Sequence, residues 1–109
     1  MSEFLFVYRG VARDSLSPQQ MQESMQKWMT WMQGLAQSGH LKDRGHPLES
    51  QGKVVRGKSV TDGPYAEKDL VGGYSLIEAR DLAEAAELSK GCPIFERGGL
   101  VEVRAIMRM

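Results

Sequence analysis

Phe4-Leu5-Phe6-Val7-Tyr8 forms an apolar and aromatic run without a polar break. Such a run predicts a strand covered on both faces. Residues 9–14 are more polar and read as a connection. The period then changes. Ser17-Pro18-Gln19-Gln20 predicts a helix start, because Ser17 can cap free backbone N–H groups, Pro18 suits the first helical position and Gln20 closes a capping box. Met21, Met25, Trp28, Met29, Met32, Leu35 and Ala36 recur every three or four residues as one apolar stripe. Gln22, Gln26, Lys27, Gln33 and Gln37 fall mostly on the opposite side. Gly39 is placed to end the helix in a left-handed turn. The stripe reads as core, with Trp31 off its centre, at a cavity edge or a contact between copies.

Residues 40–60 are rich in breakers. Short strands are expected at 47–50 and 53–56, with a turn at Gln51-Gly52. Residues 70–79 read as a strand whose Gly72 and Gly73 imply a bulge or a close backbone approach. Asp81 with Glu84 forms a second capping box ahead of Leu82, Ala85, Ala86 and Leu88, and Gly91-Cys92-Pro93 stops that helix. Residues 100–107 alternate as a last strand. The order is strand, helix, short strands, strand, helix, strand. That is the ferredoxin-like split βαβ arrangement, an α+β fold with two helices on one face of an antiparallel sheet. The other face would expose apolar side chains. Roughly 25 cal/mol per Å² of apolar area favours covering it. A symmetric homodimer is the simplest cover.

Length and charge narrow the function. A chain of 109 residues is one domain, 1–109. Its 14 acidic and 14 basic residues cancel, which argues against a broad grip on nucleic acid or an anionic membrane. The single cysteine, Cys92, fits a reducing, cytoplasmic setting. No secretory pattern opens the chain, and no apolar run approaches the ~20 residues of a membrane span.

The least generic stretch is Val60-Thr61-Asp62-Gly63-Pro64-Tyr65-Ala66-Glu67, followed by Gly72-Gly73-Tyr74. With Trp28 and Trp31 before Gly39, Gly91-Cys92-Pro93, and Gly99-Leu100-Val101-Glu102-Val103-Arg104, it resembles the YCII-related (DGPF-type) domain family over essentially the whole chain. Tyr65 stands where the family motif has phenylalanine. The resemblance implies a ferredoxin-like fold that dimerises into an α/β barrel. It also implies an association, in some members, with alternative sigma factors. One branch has a His–Asp pair proposed as catalytic, with the histidine on the first helix. The matching position here is Trp28, and no histidine lies between Ser17 and Gly39, so that pair is not carried over.

Asp62 is the leading catalytic candidate, a carboxylate that burial could raise toward neutral for general-base work. The same residue before Gly63-Pro64 suits an Asx turn. His40, after the helix end, is the second catalytic candidate, and Tyr65, Trp31 and Arg9 are candidate ligand contacts. Glu67, Lys68 and Asp69 read as a solvated turn, and Cys92 lacks a neighbour that would activate it. His40 and His46 have no cysteine or carboxylate at ligand spacing, so no metal is expected. No phosphate loop, dinucleotide fingerprint, nucleophile elbow or zinc-protease motif occurs, and no cofactor is expected. The leading expectation is a homodimer with a small-molecule pocket near Asp62, Tyr65 and His40. Any reaction there would be a proton transfer on a small organic acid or carbonyl compound. The alternative is a non-catalytic module that contacts a sigma factor or another regulator.

Overall fold

The computed structural model describes residues 1–10, 16–65 and 68–109. The connection at 11–15 and the motif residues Ala66 and Glu67 lie outside them. The elements follow the chain as β1 (Ser2–Arg9), α1 (Pro18–Gln37), β2 (Leu41–Asp43), β3 (Gly52–Arg56), β4 (Ser59–Gly63), β5 (Val71–Ala79), α2 (Leu82–Ser89) and β6 (Leu100–Ala105). A 3-10 turn, Pro93–Arg97, precedes β6. The main sheet is antiparallel in the order β2-β5-β1-β6. The last strand and the third core strand thus flank the first, as the ferredoxin-like fold requires. Strands β3 and β4 form a separate hairpin inserted before β5.

Pairing divides β1 between two environments. Phe4, Phe6 and Tyr8 are buried beneath the helices with Ile77, Ala79, Met32, Leu35, Ala85 and Ile94. Leu5 and Val7 alternate to the other face, opposite Leu76 and Tyr74, and all four are only half-buried. The unbroken apolar run therefore feeds one dry face and one open face, not two dry ones.

The expected caps form, with one change. Ser17 Oγ accepts from Gln20 N–H at 3.1 Å, and Gln20 Oε1 accepts from Ser17 N–H at 3.0 Å. Gly39 has φ +81°, and the His40 N–H reaches back to the Leu35 carbonyl at 2.8 Å. This is the left-handed exit predicted for α1. At α2, Asp81 Oδ1 accepts from the Glu84 N–H at 2.8 Å, but Glu84 reaches back to the Arg80 N–H instead of closing the box on Asp81.

The Glu84 N–H holds the Asp81 carboxyl below its ordinary range. A depressed carboxylate stabilises the fold above its unfolded value and loses that contribution as pH falls through its folded value. Asp81→Asn keeps a capping oxygen but cannot titrate. The Tm advantage of the parent over this variant should be present at pH 6 and shrink as the pH falls below about 4. A constant gap would show that the charge is irrelevant to the cap.

The middle of the chain departs from its sequence reading. Residues 53–56 do form a strand, but the turn is at Gly57-Lys58 and the partner strand is Ser59–Gly63. Residues 47–50 do not form a regular strand; Pro47 makes a lone bridge to Gly73, and the sheet edge is taken by Leu41–Asp43. Proline cannot donate to a ladder, so pairing at residue 47 stays minimal. Gly72 is the extra residue where the β1–β5 register shifts, and a Cβ on Gly73 would lie 3.0 Å from the His46 carbonyl. Both readings of the glycine pair, bulge and close approach, describe this place.

Candidate functional site

Helix α1 is buried only in its second half, at Met32 and Leu35. Its first half stands over the start of β5 and the segment 44–47, leaving a cleft of about 320 Å³. Met21, Met25, Met29 and Trp28 form the helical wall. The opposite wall comes from Tyr8, segment 44–47 and Gly72-Gly73-Tyr74. The apolar stripe thus has two jobs. Its C-terminal part is core, as expected, whereas Met21, Met25 and Met29 are exposed and line the cleft. Unbranched methionines can adapt to differently shaped ligands.

The floor is rigid. Tyr8 and Trp28 meet edge to face at 4.8 Å between centroids, and Trp28 meets Trp31 at 5.8 Å. The Tyr8 hydroxyl donates to Ser75 Oγ at 2.8 Å, and Ser75 donates onward to the Arg44 carbonyl at 2.7 Å. Burial raises the Tyr8 pKa well above the ordinary phenol value. Tyr8 therefore stays protonated near neutral pH and serves to fix segment 44–47. His46 is the histidine among the described residues lining the cleft, and its ring lies 6.3 Å from that of Tyr74, whose side chain strand alternation turns to the open face of the sheet. Histidine is the side chain suited to exchanging protons near neutral pH.

None of the five candidates named from sequence lines this cleft. Asp62 lies on β4 with its side chain 88% exposed and paired with Lys53 across the hairpin. It faces solvent on the hairpin and not a cleft. Tyr65 is 76% exposed, with the Arg56 guanidinium 5.4 Å from its ring centre. His40 is fixed to β5 instead: Nδ1 lies 2.7 Å from the Glu78 carbonyl, and its own carbonyl accepts from the Glu78 N–H. Arg9 bonds Glu102 at 2.9 Å and the Asp69 carbonyl at 3.1 Å, so its fork is engaged. Trp31 stacks on Phe6 with centroids 6.2 Å apart and edges a shallower depression beside Cys92. That thiol is pushed up to about 12 by burial, which keeps it unreactive.

Sequence reasoning missed His46, Tyr74 and the methionine wall. The available signal was the density of methionine in one half of the stripe, where a core would more often carry branched residues. Among the described residues, no group of three or more His, Cys, Asp or Glu side chains is placed to hold a metal ion. No described helix is long and apolar enough to cross a membrane.

One solved structure with a similar fold is 5-chloro-2-hydroxyhydroquinone dehydrochlorinase (TftG) from Burkholderia phenoliruptrix AC1100, in complex with 2,5-dihydroxybenzoquinone. The TM-score is 0.58 at 17% identity, over 97% of this chain and 95% of that one. No curated protein matches the chain. The model of the YCII-related domain matches residues 4–109, from the first core residue of β1 to the C-terminal methionine, and the chain belongs to that family.

Proposed function

We propose that this protein is a homodimeric small-molecule-binding domain whose site is the cleft beneath the first half of α1. The observation that carries this reading is the wall of exposed Met21, Met25 and Met29 beside Trp28, facing a strand start across a cleft of about 320 Å³. A mostly apolar cavity of this size with a few polar groups is the usual form of a small-ligand site. The similar fold of a dehydrochlorinase solved with a bound quinone supports the reading by analogy. His46 supplies the group for proton transfer to or from a bound acid or carbonyl compound. The open face of the sheet, with Leu5, Val7, Tyr74 and Leu76, is where a second copy packs.

The neutral fluorescent probe N-phenyl-1-naphthylamine tests the cleft. It should bind the parent protein with enhanced emission. Met25 is 59% exposed, so Met25→Arg should fold normally while placing a charge in the apolar wall. Affinity for the probe should fall by about tenfold or more, the equivalent of about 1.4 kcal/mol. Undiminished binding by a folded Met25→Arg protein would place the ligand elsewhere.

A further inference from the structure

We infer that the cleft takes an amphiphilic organic anion, with its apolar body against Met21, Met25, Met29 and Trp28 and its acidic group on Arg44. This rests on the cleft being a binding site and adds the class of ligand. Among the described residues lining the cleft, none is an aspartate or glutamate, while Arg44 and His46 both lie on the sheet-side wall. The neighbouring cations of the sheet are neutralised: Arg9 and Arg104 by Glu102, and Lys42 by Glu3. Arg44 differs from them. Its carbonyl accepts from Ser75, but its guanidinium has no carboxylate or carbonyl partner among the described residues.

An arginine among the residues lining an apolar wall, with no carboxylate or carbonyl partner for its guanidinium among the described residues, is an incomplete arrangement. Its planar fork matches carboxylate, sulfonate or phosphate oxygens, and ionised hydrogen bonds are the stronger kind. The adjacent apolar surface excludes water and reduces screening of that attraction. A neutral apolar ligand would use the methionine wall and leave Arg44 idle. A small hydrophilic anion would use Arg44 and leave the wall idle. Only a molecule with both parts uses what the cleft presents.

Two probes with the same ring system separate these cases. 1-Anilinonaphthalene-8-sulfonate carries a sulfonate; N-phenyl-1-naphthylamine does not. The parent protein should bind the sulfonate more tightly. Arg44→Gln should weaken the sulfonate by about tenfold, as expected for a lost charge-assisted hydrogen bond, and leave the neutral probe within about twofold. The Arg44 side chain is exposed and supports no other described group, so an unchanged Tm should confirm that the variant folds. Equal effects on both probes, or no effect on either, would overturn the anion assignment while a Met25-sensitive neutral probe kept the binding site. Failure of both probes to bind the parent would overturn site and ligand class together.

Discussion

Gly45→Ala should lower the Tm of this protein by roughly 12–24 °C, at about 4–8 °C per kcal/mol for a domain near this size. The residue is buried with φ +67°, and an added Cβ would lie 1.9 Å from the Tyr74 carbonyl oxygen and 2.7 Å from its carbon. Those are main-chain atoms of β5, so no rotamer change relieves the overlap. The left-handed conformation alone costs a residue with a side chain about 1–2 kcal/mol. Lifting segment 44–48 to make room would break the Ser75 bond to the Arg44 carbonyl and the Leu48 N–H bond to Gly72. A buried hydroxyl left without an acceptor costs about 1–3 kcal/mol more. The total is about 3 kcal/mol, and it falls on the wall that carries Arg44 and His46, so binding of the neutral probe should fail with it. Gly34→Ala is the control. Nothing lies within 4 Å of a Cβ built there, inside α1, and alanine is the better helix former. Thermal unfolding should show a small rise for Gly34→Ala and a large fall for Gly45→Ala. A fall of less than about 4 °C would mean that segment 44–48 is not seated on β5 as described.

The parent protein should sediment at twice its chain mass of 12.2 kDa, and Leu76→Asp should sediment at the single-chain mass. Leu76 stands directly opposite Leu5 in the β1–β5 register, with Val7 opposite Tyr74 beside it. These residues lie on the face away from the helices, so an aspartate there meets water in a single copy. In a two-fold dimer it occurs twice and is buried against apolar neighbours. Stranding a charge in an interface costs about 3–5 kcal/mol, enough to weaken the dimer by roughly a thousandfold. Circular dichroism should be unchanged, because the core lies on the helical side. A parent that is monomeric at micromolar concentration would remove the homodimer from the proposal. A Leu76→Asp dimer as tight as the parent would move the interface to another surface.

The residue pattern alone determined the α+β class, both main helices with their start signals, the strands β1, β5 and β6, and the family. These depend on local rules that act within one turn or one strand. Ser17 and Gln20 satisfy each other's backbone partners wherever the helix lies, and Gly39 supplies its exit regardless of what it packs on. Even the bulge at Gly72-Gly73 was legible, since only a missing side chain admits so close a neighbour.

The site was decided by the tertiary structure. A stripe of apolar residues looks the same whether the sheet beneath it continues or stops. Here the first half of α1 stands off from the start of β5 across the cleft, so Met21, Met25 and Met29 become a wall while Met32 and Leu35 become core. The same packing joined His46 and Arg44 to Tyr74, about thirty residues away in sequence, and tied His40 to Glu78. Conversely, residues 60–63 of the motif that marks the family sit on a hairpin paired with itself, where Asp62 faces water. Which side chains meet across a cleft depends on long-range register and element length, and neither is written in a local pattern.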